Sequence, residues 1–461
     1  MRQDIYKKYL LVVLMFVFAF NYQDRWALGL VLQNIKADLS LSDTQLGLLT
    51  GIAFALLYAI MGIPLARRAD RGNRVTLIAL TVALWSLMVC VSGMATSFAQ
   101  LLLIRVGVAV GEAGCMPAAN SLIPDYFSRA ERPRAVAVFL LGTPLSFLTG
   151  YFLAGRLNEL YGWRVMFVLL GLPGVGLAAL IRLTLREPRD DKPPRGSVYT
   201  STPTLHTNEH QPVAPSKPPT LREVALRLWA SKTYRNLLFI FSVSAFFNNG
   251  IFQWQPAFFI RSYHVQTAEL GTWFALIYGL ASLVGTYLGG HLASGYAPHN
   301  ERLQLKVLAV VYLAFVVLFS SVYLSHSSSL AWALLGLIFL AGTATNASLF
   351  AMTQSLVPER MRAMSIALIL LFSNLLGLGL GPLAVGAVSD AFRSWAGDES
   401  LRYALLVMCP GYLWAAWHSW QGSKTVTADL AAVYLDGQAV TPEPLADVEP
   451  FRRRVAPSCS K

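Results

Sequence analysis

Apolar residues along this chain arrive in nearly unbroken blocks of about 20, without the strict alternation of a half-buried strand or the narrow stripe of a surface helix. A helix of that length spans the roughly 30 Å hydrocarbon core of a bilayer. The blocks fall at about 9–32, 45–66, 75–95, 99–123, 135–157, 163–183, 235–260, 269–294, 305–325, 330–357, 363–389 and 401–420, which predicts an all-α membrane protein with twelve transmembrane helices. The pattern breaks once. Arg186 to Pro219 carries eight prolines, many Ser and Thr, and no apolar period, as a semi-rigid linker does. Behind it, Thr220 and Glu223 are spaced as a capping box, and Leu221, Val224, Ala225, Leu228 and Trp229 recur on one helical face. The predicted organisation is a six-helix lobe over 1–185, a linker over 186–232 ending in an amphipathic helix near 220–232, a second six-helix lobe over 233–420, and a tail over 421–461.

Composition agrees and removes other classes. Of the 461 residues 55% are hydrophobic and 13% charged, against about 25% charged in a soluble domain. The net charge of +12 could suggest nucleic acid, but its placement decides otherwise. Most Lys and Arg lie before segment 1, in alternate loops, in the linker and in the tail. On the opposite side stand Lys36, Arg156, Arg164, Arg261, Arg393 and Arg402. That is the positive-inside bias, so both termini are expected in the cytoplasm and no nucleic-acid partner is expected. The apolar run after Lys7 and Lys8 leads into Asn21, Tyr22, Asp24 and Arg25 rather than a small-residue cleavage site, and is read as retained segment 1. Cys90, Cys115, Cys409 and Cys459 have no metal-ligand spacing, so neither metal nor cofactor is expected. Short loops point to a bacterial inner membrane, and a monomer is expected.

The halves resemble each other weakly. Arg134-Ala-Val-Ala-Val before segment 5 parallels Arg362-Ala-Met-Ser-Ile before segment 11, 228 positions on, and Arg68-Ala69-Asp70-Arg71 parallels Leu292-Ala293-Ser294-Gly295, 224 positions on. Small residues form stripes for close helix contact at Gly47, Gly51 and Ala55, at Gly142, Ser146, Gly150 and Ala154, and at Ser373, Gly377 and Gly381. Pro144 and Pro382 are expected to kink their segments.

A charge inside a spanning helix costs at least about 2.5–3.5 kcal/mol and demands a partner or a cavity. Four such residues stand out: Asp24 and Arg25 in segment 1, Arg105 and Glu112 in segment 4. Arg105 and Glu112 are seven apart and share a helix face, while Gly107, Gly111, Gly114 and Ala118 fall on the opposite side. Counting rise from the helix ends, Asp24 can reach Arg105 and Arg25 can reach Glu112, with the exchange of partners also open. The second half offers only amides in mid-span: Asn248, Asn249, Gln253 and Gln255 in segment 7, Asn346 and Gln354 in segment 10, and Asn374 in segment 11. His291 near the end of segment 8 is read as an interfacial histidine rather than a proton relay.

The loop Arg67-Arg68-Ala69-Asp70-Arg71-Gly72-Asn73-Arg74 resembles the G-x-L-A-D-R-x-G-R/K loop of major facilitator transporters, with Ala66 and Asn73 in its two glycine positions. Asn21-Tyr22-Gln23-Asp24-Arg25 and the run from Arg105 to Gly111-Glu112-Ala113-Gly114 resemble the N-Y-x-D-R and R-x-x-x-x-x-G-E-A-G signatures of the Spinster family, and Pro117, Asn120, Ser121, Leu122, Ile123, Asp125, Tyr126 and Phe127 extend the second match. The resemblance implies a major facilitator fold and alternating access between two lobes. It also implies a lipid-like substrate of the lysolipid or sphingoid-phosphate class, with proton coupling as in some relatives. On that reading Glu112 and Asp24 carry the proton, and Arg25, Arg105, Asn21, Tyr22, Asn248, Asn249, Gln253 and Asn346 bind substrate. Asp70, Arg71 and Arg74 form a conformational latch.

Other function classes find less support. A carrier of a small organic anion or sugar acid is the alternative, and an intramembrane lipid-modifying enzyme a distant one. No G-x-S-x-G or H-E-x-x-H motif is present. Charges confined to one lobe offer no symmetric ring for a channel filter.

Overall fold

The computed structural model describes residues 2–189, 221–296, 300–357 and 361–439, and these are helical nearly throughout, with no strand among them. The first lobe comprises α1 (Arg2–Leu39), α2 (Asp43–Thr50), α3 (Ile52–Arg71), α4 (Arg74–Ser92), α5 (Phe98–Glu112), α6 (Cys115–Tyr126), α7 (Arg132–Leu140) and α8 (Gly142–Thr184). Then come α9 (Leu221–Ala230) and the second lobe: α10 (Lys232–Tyr263), α11 (Thr267–Tyr296), α12 (Glu301–Leu324), α13 (Ser328–Ser355), α14 (Arg362–Phe372), a π-helical stretch (Ser373–Leu380), α15 (Gly381–Ala396), a 3₁₀ turn (Gly397–Glu399), α16 (Ser400–Met408) and α17 (Gly411–Ala439).

Among the described residues, ten apolar helical stretches are long enough to cross a membrane. Two of them, Arg132–Thr184 and Met364–Val433, run to 53 and 70 residues, more than twice the length one crossing needs. Each turns back at a glycine of positive φ, Gly162 at 77° and Gly397 at 55°, a conformation open to a residue without Cβ. Ten stretches therefore match the twelve expected crossings.

The observed helices overrun the expected spans because polar residues at their ends continue the helix beyond the apolar block. Thus α1 extends to Leu39, where the apolar block ends at 32. The expected proline kinks appear as breaks just upstream of each proline. Pro144 has no N–H for the carbonyl of residue 140, and α7 gives way to α8 at Leu141; Pro382 follows the π-helical stretch.

The amphipathic helix is present as α9, packed on α10 and α14 with Val224 and Leu228 buried. Trp229, expected on its apolar face, is 54% exposed beside Leu226 at 63%. Most of the expected linker (190–220, with Thr220) and the end of the tail (440–461, with Cys459) lie outside the described residues.

The start of α1, the end of α8, the start of α10 and the part of α17 around Asp429 lie at one end of the helix bundle, here the linker end; the turns near 40, 160, 265 and 397 mark the distal end. The glycine face of segment 4 packs as expected against α4: a Cβ on Gly111 would stand 2.8 Å from Trp85 and one on Gly107 2.8 Å from Met88. That docking turns the Arg105 and Glu112 face toward α1 and α3.

Candidate functional site

Arg105 Nη1 donates to Asp24 Oδ2 at 2.6 Å, and Arg25 Nε donates to Glu112 Oε2 at 2.9 Å with Nη2 bonded to the same oxygen. The expected pairing thus occurs, and the exchanged one does not. Asp24 and Arg105 are each 4% exposed and Glu112 is wholly buried. Both guanidinium groups lie over aromatic faces, Arg25 over Tyr22 at 4.6 Å and Phe54 at 4.5 Å, Arg105 over Phe54 at 5.2 Å. Ring quadrupoles and carboxylates together offset the cost of burying these cations.

Each carboxylate uses one oxygen. Asp24 Oδ1 and Glu112 Oε1, together with Asn21 Oδ1 and Arg105 Nε, are buried with no hydrogen-bond partner among the described residues. Asn21 Nδ2 donates to the Glu112 main-chain oxygen at 3.4 Å. Fully buried, Asn21 props the helix bearing Glu112 and does not line the neighbouring cavity, although the sequence pointed to substrate binding.

That cavity, of about 140 Å³, lies between the lobes, lined by Arg25, Arg105, Tyr22, Trp26, Phe54, Asn249, Gln253 and Asn374. The arginines face it; Asp24 and Glu112 are not in its wall. Trp26, Asn249 and Phe252 also border a second cavity of about 260 Å³ set mainly in the second lobe, with Phe147, Tyr278, Phe315, Phe339, Asn248 and Gln255 in its wall. Trp26 is held by its Nε1 donating to Ser146 at 3.0 Å and stacks on Phe147 at 4.7 Å. Asn248 accepts from Tyr412 OH at 2.6 Å, Asn249 donates to the Ala245 carbonyl at 2.9 Å, and the buried Tyr278 OH donates to Gln255. The result is a charged compartment that shares a wall with an aromatic one bearing neutral amides. The side chain of Asn346 lies outside the described residues. Asn248, Asn249 and Gln253 each border at least one of the two cavities, while the aromatic wall had no sequence signal because isolated Phe and Tyr in apolar spans look like lipid-facing residues.

Of the three latch residues, Arg74 is the one whose side chain is held among the described residues. It is fully buried, bonded to Glu187 through Nε and its backbone N–H and to the Ser121 carbonyl at 2.6 Å, with Asp125 at 2.7 Å. Arg189 adds bonds to the Ala69 and Asp70 carbonyls at the end of α3, at 3.2 and 2.8 Å. Asp70 and Arg71 are exposed at this end. Glu187 was missed because its only sequence signal was a place at the start of a proline-rich stretch. Its burial acts to raise the carboxyl pKa, but hydrogen bonds from Arg74 outweigh it and hold Glu187 below the ordinary range.

Bonds that join the lobes gather at the distal end. Asp43 accepts from Arg261 Nη1 and Nη2 at 2.8 and 2.6 Å, from Ser389 at 2.7 Å and from Lys36. Gln33 accepts from Arg261 Nε at 2.9 Å. This end is closed. The sequence reading counted Lys36 and Arg261 only as sparse charges of one side and gave Asp43, Gln33 and Ser389 no role.

A family model described as the Major Facilitator Superfamily matches residues 14–419. The chain belongs to this superfamily. It is 31% identical over 401 residues to an MFS-type efflux pump of Mycolicibacterium smegmatis, covering 86% of this chain and 87% of the relative. It is 26% identical over 424 residues to Protein spinster homolog 1 of Xenopus tropicalis, covering 86% and 77%. A bacterial homologue of the human lysosomal transporter Spinster, solved in an inward-facing and unoccupied conformation, matches with a TM-score of 0.79 and 29% identity over 92% of this chain and 98% of that one. The chain is Spinster-like, a transporter and no enzyme, and a multi-pass integral membrane protein.

Proposed function

We propose that this carrier moves an amphiphile with an anionic head, of the lysolipid or sphingoid-phosphate class, and couples that movement to protons. The observation that carries the reading is the pair of guanidinium groups, Arg25 and Arg105, facing a cavity that adjoins an aromatic one across Trp26 and Phe252. A phosphate or carboxylate head fits the first compartment, where Arg supplies planar, doubly donating recognition. An apolar body fits the second.

Glu112 and Asp24 serve as the proton sites in this reading. Each is a counter-ion behind an arginine and keeps one unbonded oxygen. Protonating either leaves the four-charge cluster at +1 and frees a guanidinium for the anionic head; releasing the proton restores the ion pair and weakens that hold. Alternating access then follows from rocking one lobe against the other. With both termini and the linker in the cytoplasm of a bacterial cell, the closed distal end makes this the inward-facing state of a carrier working as a monomer. Asp70, Arg71 and Arg74 act as the latch at the linker end, closed in the opposite state.

The second reading, a small organic anion or sugar acid, draws on the modest charged cavity and its amides Asn249, Gln253 and Asn374, which suit hydroxyl groups. Transport into proteoliposomes, measured for lysolipids, sugar acids and short organic anions with and without a pH gradient, separates the two. Saturable flux of a long-chain anion that responds to the gradient supports the first reading, and flux of short anions alone supports the second.

A further inference from the structure

The internal repeat detected in the loops extends to the closed distal end, where it builds the same contact twice, once in each direction between the lobes. In one copy the start of α2 meets the end of α15. The backbone N–H groups of Asp43 and Thr44 donate to Asp390 Oδ1 at 3.0 Å and Oδ2 at 2.7 Å, and Thr44 Oγ1 adds a bond of 2.6 Å. In the other copy the start of α11 meets α8. The backbone N–H of Ala268 donates to Glu159 Oε2 at 2.9 Å.

The correspondence holds residue by residue. Thr44 and Ala268 are each the second residue of their helix and stand 224 positions apart, the offset already seen between the loops. Asp390 and Glu159 stand 231 apart, as do Gly386 and Gly155, which precede the carboxylates by one helical turn. Gly47 and Gly271, again 224 apart, complete the pattern. A Cβ on Gly386 would lie 2.8 Å from the Asp43 carbonyl carbon, one on Gly155 3.1 Å from Gly271 Cα, and one on Gly47 2.8 Å from Leu383 Cα. Only glycine at these positions lets each acid reach the opposing helix start.

We infer that Asp390 and Glu159 form a duplicated latch that sets how readily the distal end opens. The first N–H groups of a helix have no intrahelical acceptor and carry the positive end of its dipole. A carboxylate from the opposite lobe satisfies both needs while the end is closed, and opening must break both contacts. The copies are unequal. Asp43 in the first adds charge-assisted bonds to Arg261 and Lys36, whereas its counterpart Thr267 accepts a neutral bond from Asn158 at 3.0 Å, and Glu159 is exposed. The α2–α15 copy is therefore the stronger one. The device is independent of which substrate is carried.

The test uses the full chain in lipid nanodiscs, with its native cysteines replaced and spin labels at Ser40 and Asp398 across the distal end, or at Arg129 and Arg302 across the linker end. Interspin distances are read by double electron–electron resonance. Asp390→Asn should raise the ratio of distal-open to distal-closed molecules about 5–30-fold, the factor that one or two kcal/mol gives. Glu159→Gln should raise it less, and the double variant by about the product of the two. Gly386→Ala, with its carboxylate intact, should move the populations the same way. Should Asp390→Asn fail to fold, Glu159→Gln, altered at an exposed acid, and Gly386→Ala carry the test. Unchanged distance distributions in those two variants would overturn the inference.

Discussion

Arg105 and Asp24 are joined by a 2.6 Å hydrogen bond with both side chains buried, one residue along α1 from the pair formed by Arg25 and Glu112. Helix α1 supplies acid then base, and α5 supplies base then acid, so neighbouring residues on one helix engage residues seven apart on the other. Every charge has a partner, yet each carboxylate retains an unbonded oxygen.

Glu112→Gln removes the acid while keeping its shape and its main-chain bond to Asn21. Transport by this variant should lose its pH dependence, and substrate should still bind. Arg105→Ala should lose binding of anionic substrates and leave Asp24 uncompensated. Asp24→Asn should copy Glu112→Gln where Asp24 shares the proton; a lowered Tm with the pH profile intact would make Asp24 a fixed counter-ion. The measurement is flux against pH in proteoliposomes, and an unchanged profile for Glu112→Gln returns the cluster to a structural role.

Glu187 provides a separate pH signature, in stability. Because its folded pKa is depressed below the unfolded value of about 4.3, the stabilisation it gives is complete above that value and is lost as pH falls through the folded pKa. The Tm of the purified protein should hold steady down to about pH 5 and decline below it. Glu187→Gln should remove that part of the decline and cost about 1–3 kcal/mol, less than a wholly broken buried pair because Asp125 still faces Arg74.

Asp70 behaves differently from its neighbour Arg74, although one loop motif contains both. Arg74 is locked inside its lobe, and Asp70 is exposed in a structure whose closed end is the distal one. Asp70→Asn should therefore change stability by no more than about 0.5 kcal/mol and slow transport severalfold by weakening the opposite state. Unaltered flux, measured beside thermal melts, would reduce the loop to a determinant of orientation.

The sequence disclosed most about what lipid makes expensive. A buried charge in an apolar block is conspicuous, so the twelve crossings and the Asp24–Arg105 and Arg25–Glu112 pairs could be read from the residues alone. Residues at helix ends were harder. Asp43, Arg261 and Glu187 sit where charges are cheap, and only the fold reveals that Asp43 and Glu187 are buried. The aromatic compartment was equally hidden, since Phe339 or Tyr278 in an apolar span looks the same whether it faces lipid or lines a cavity. Prolines marked helix breaks to within a few residues, but the π-helical stretch before Pro382 left no pattern of its own.

Phe339 separates the two substrate readings. It packs on Tyr278 at 4.6 Å and on Phe147 at 5.6 Å, deep in the aromatic cavity and away from the arginines. Truncation to Ala removes apolar wall without touching a charge. Burial of an aromatic-sized area is worth about 1.5–3 kcal/mol, so KM for a long-chain anionic amphiphile should rise roughly 10–100-fold, while that for a short anion of the same head group should change less than about twofold. Arg25→Gln should weaken both substrates together, because the head is common to them. Circular dichroism and thermal melts of Phe339→Ala guard against a general loss of structure. If Phe339→Ala transports the long-chain amphiphile with unchanged KM, the tail does not occupy the second lobe, and the small organic anion becomes the better account of this carrier.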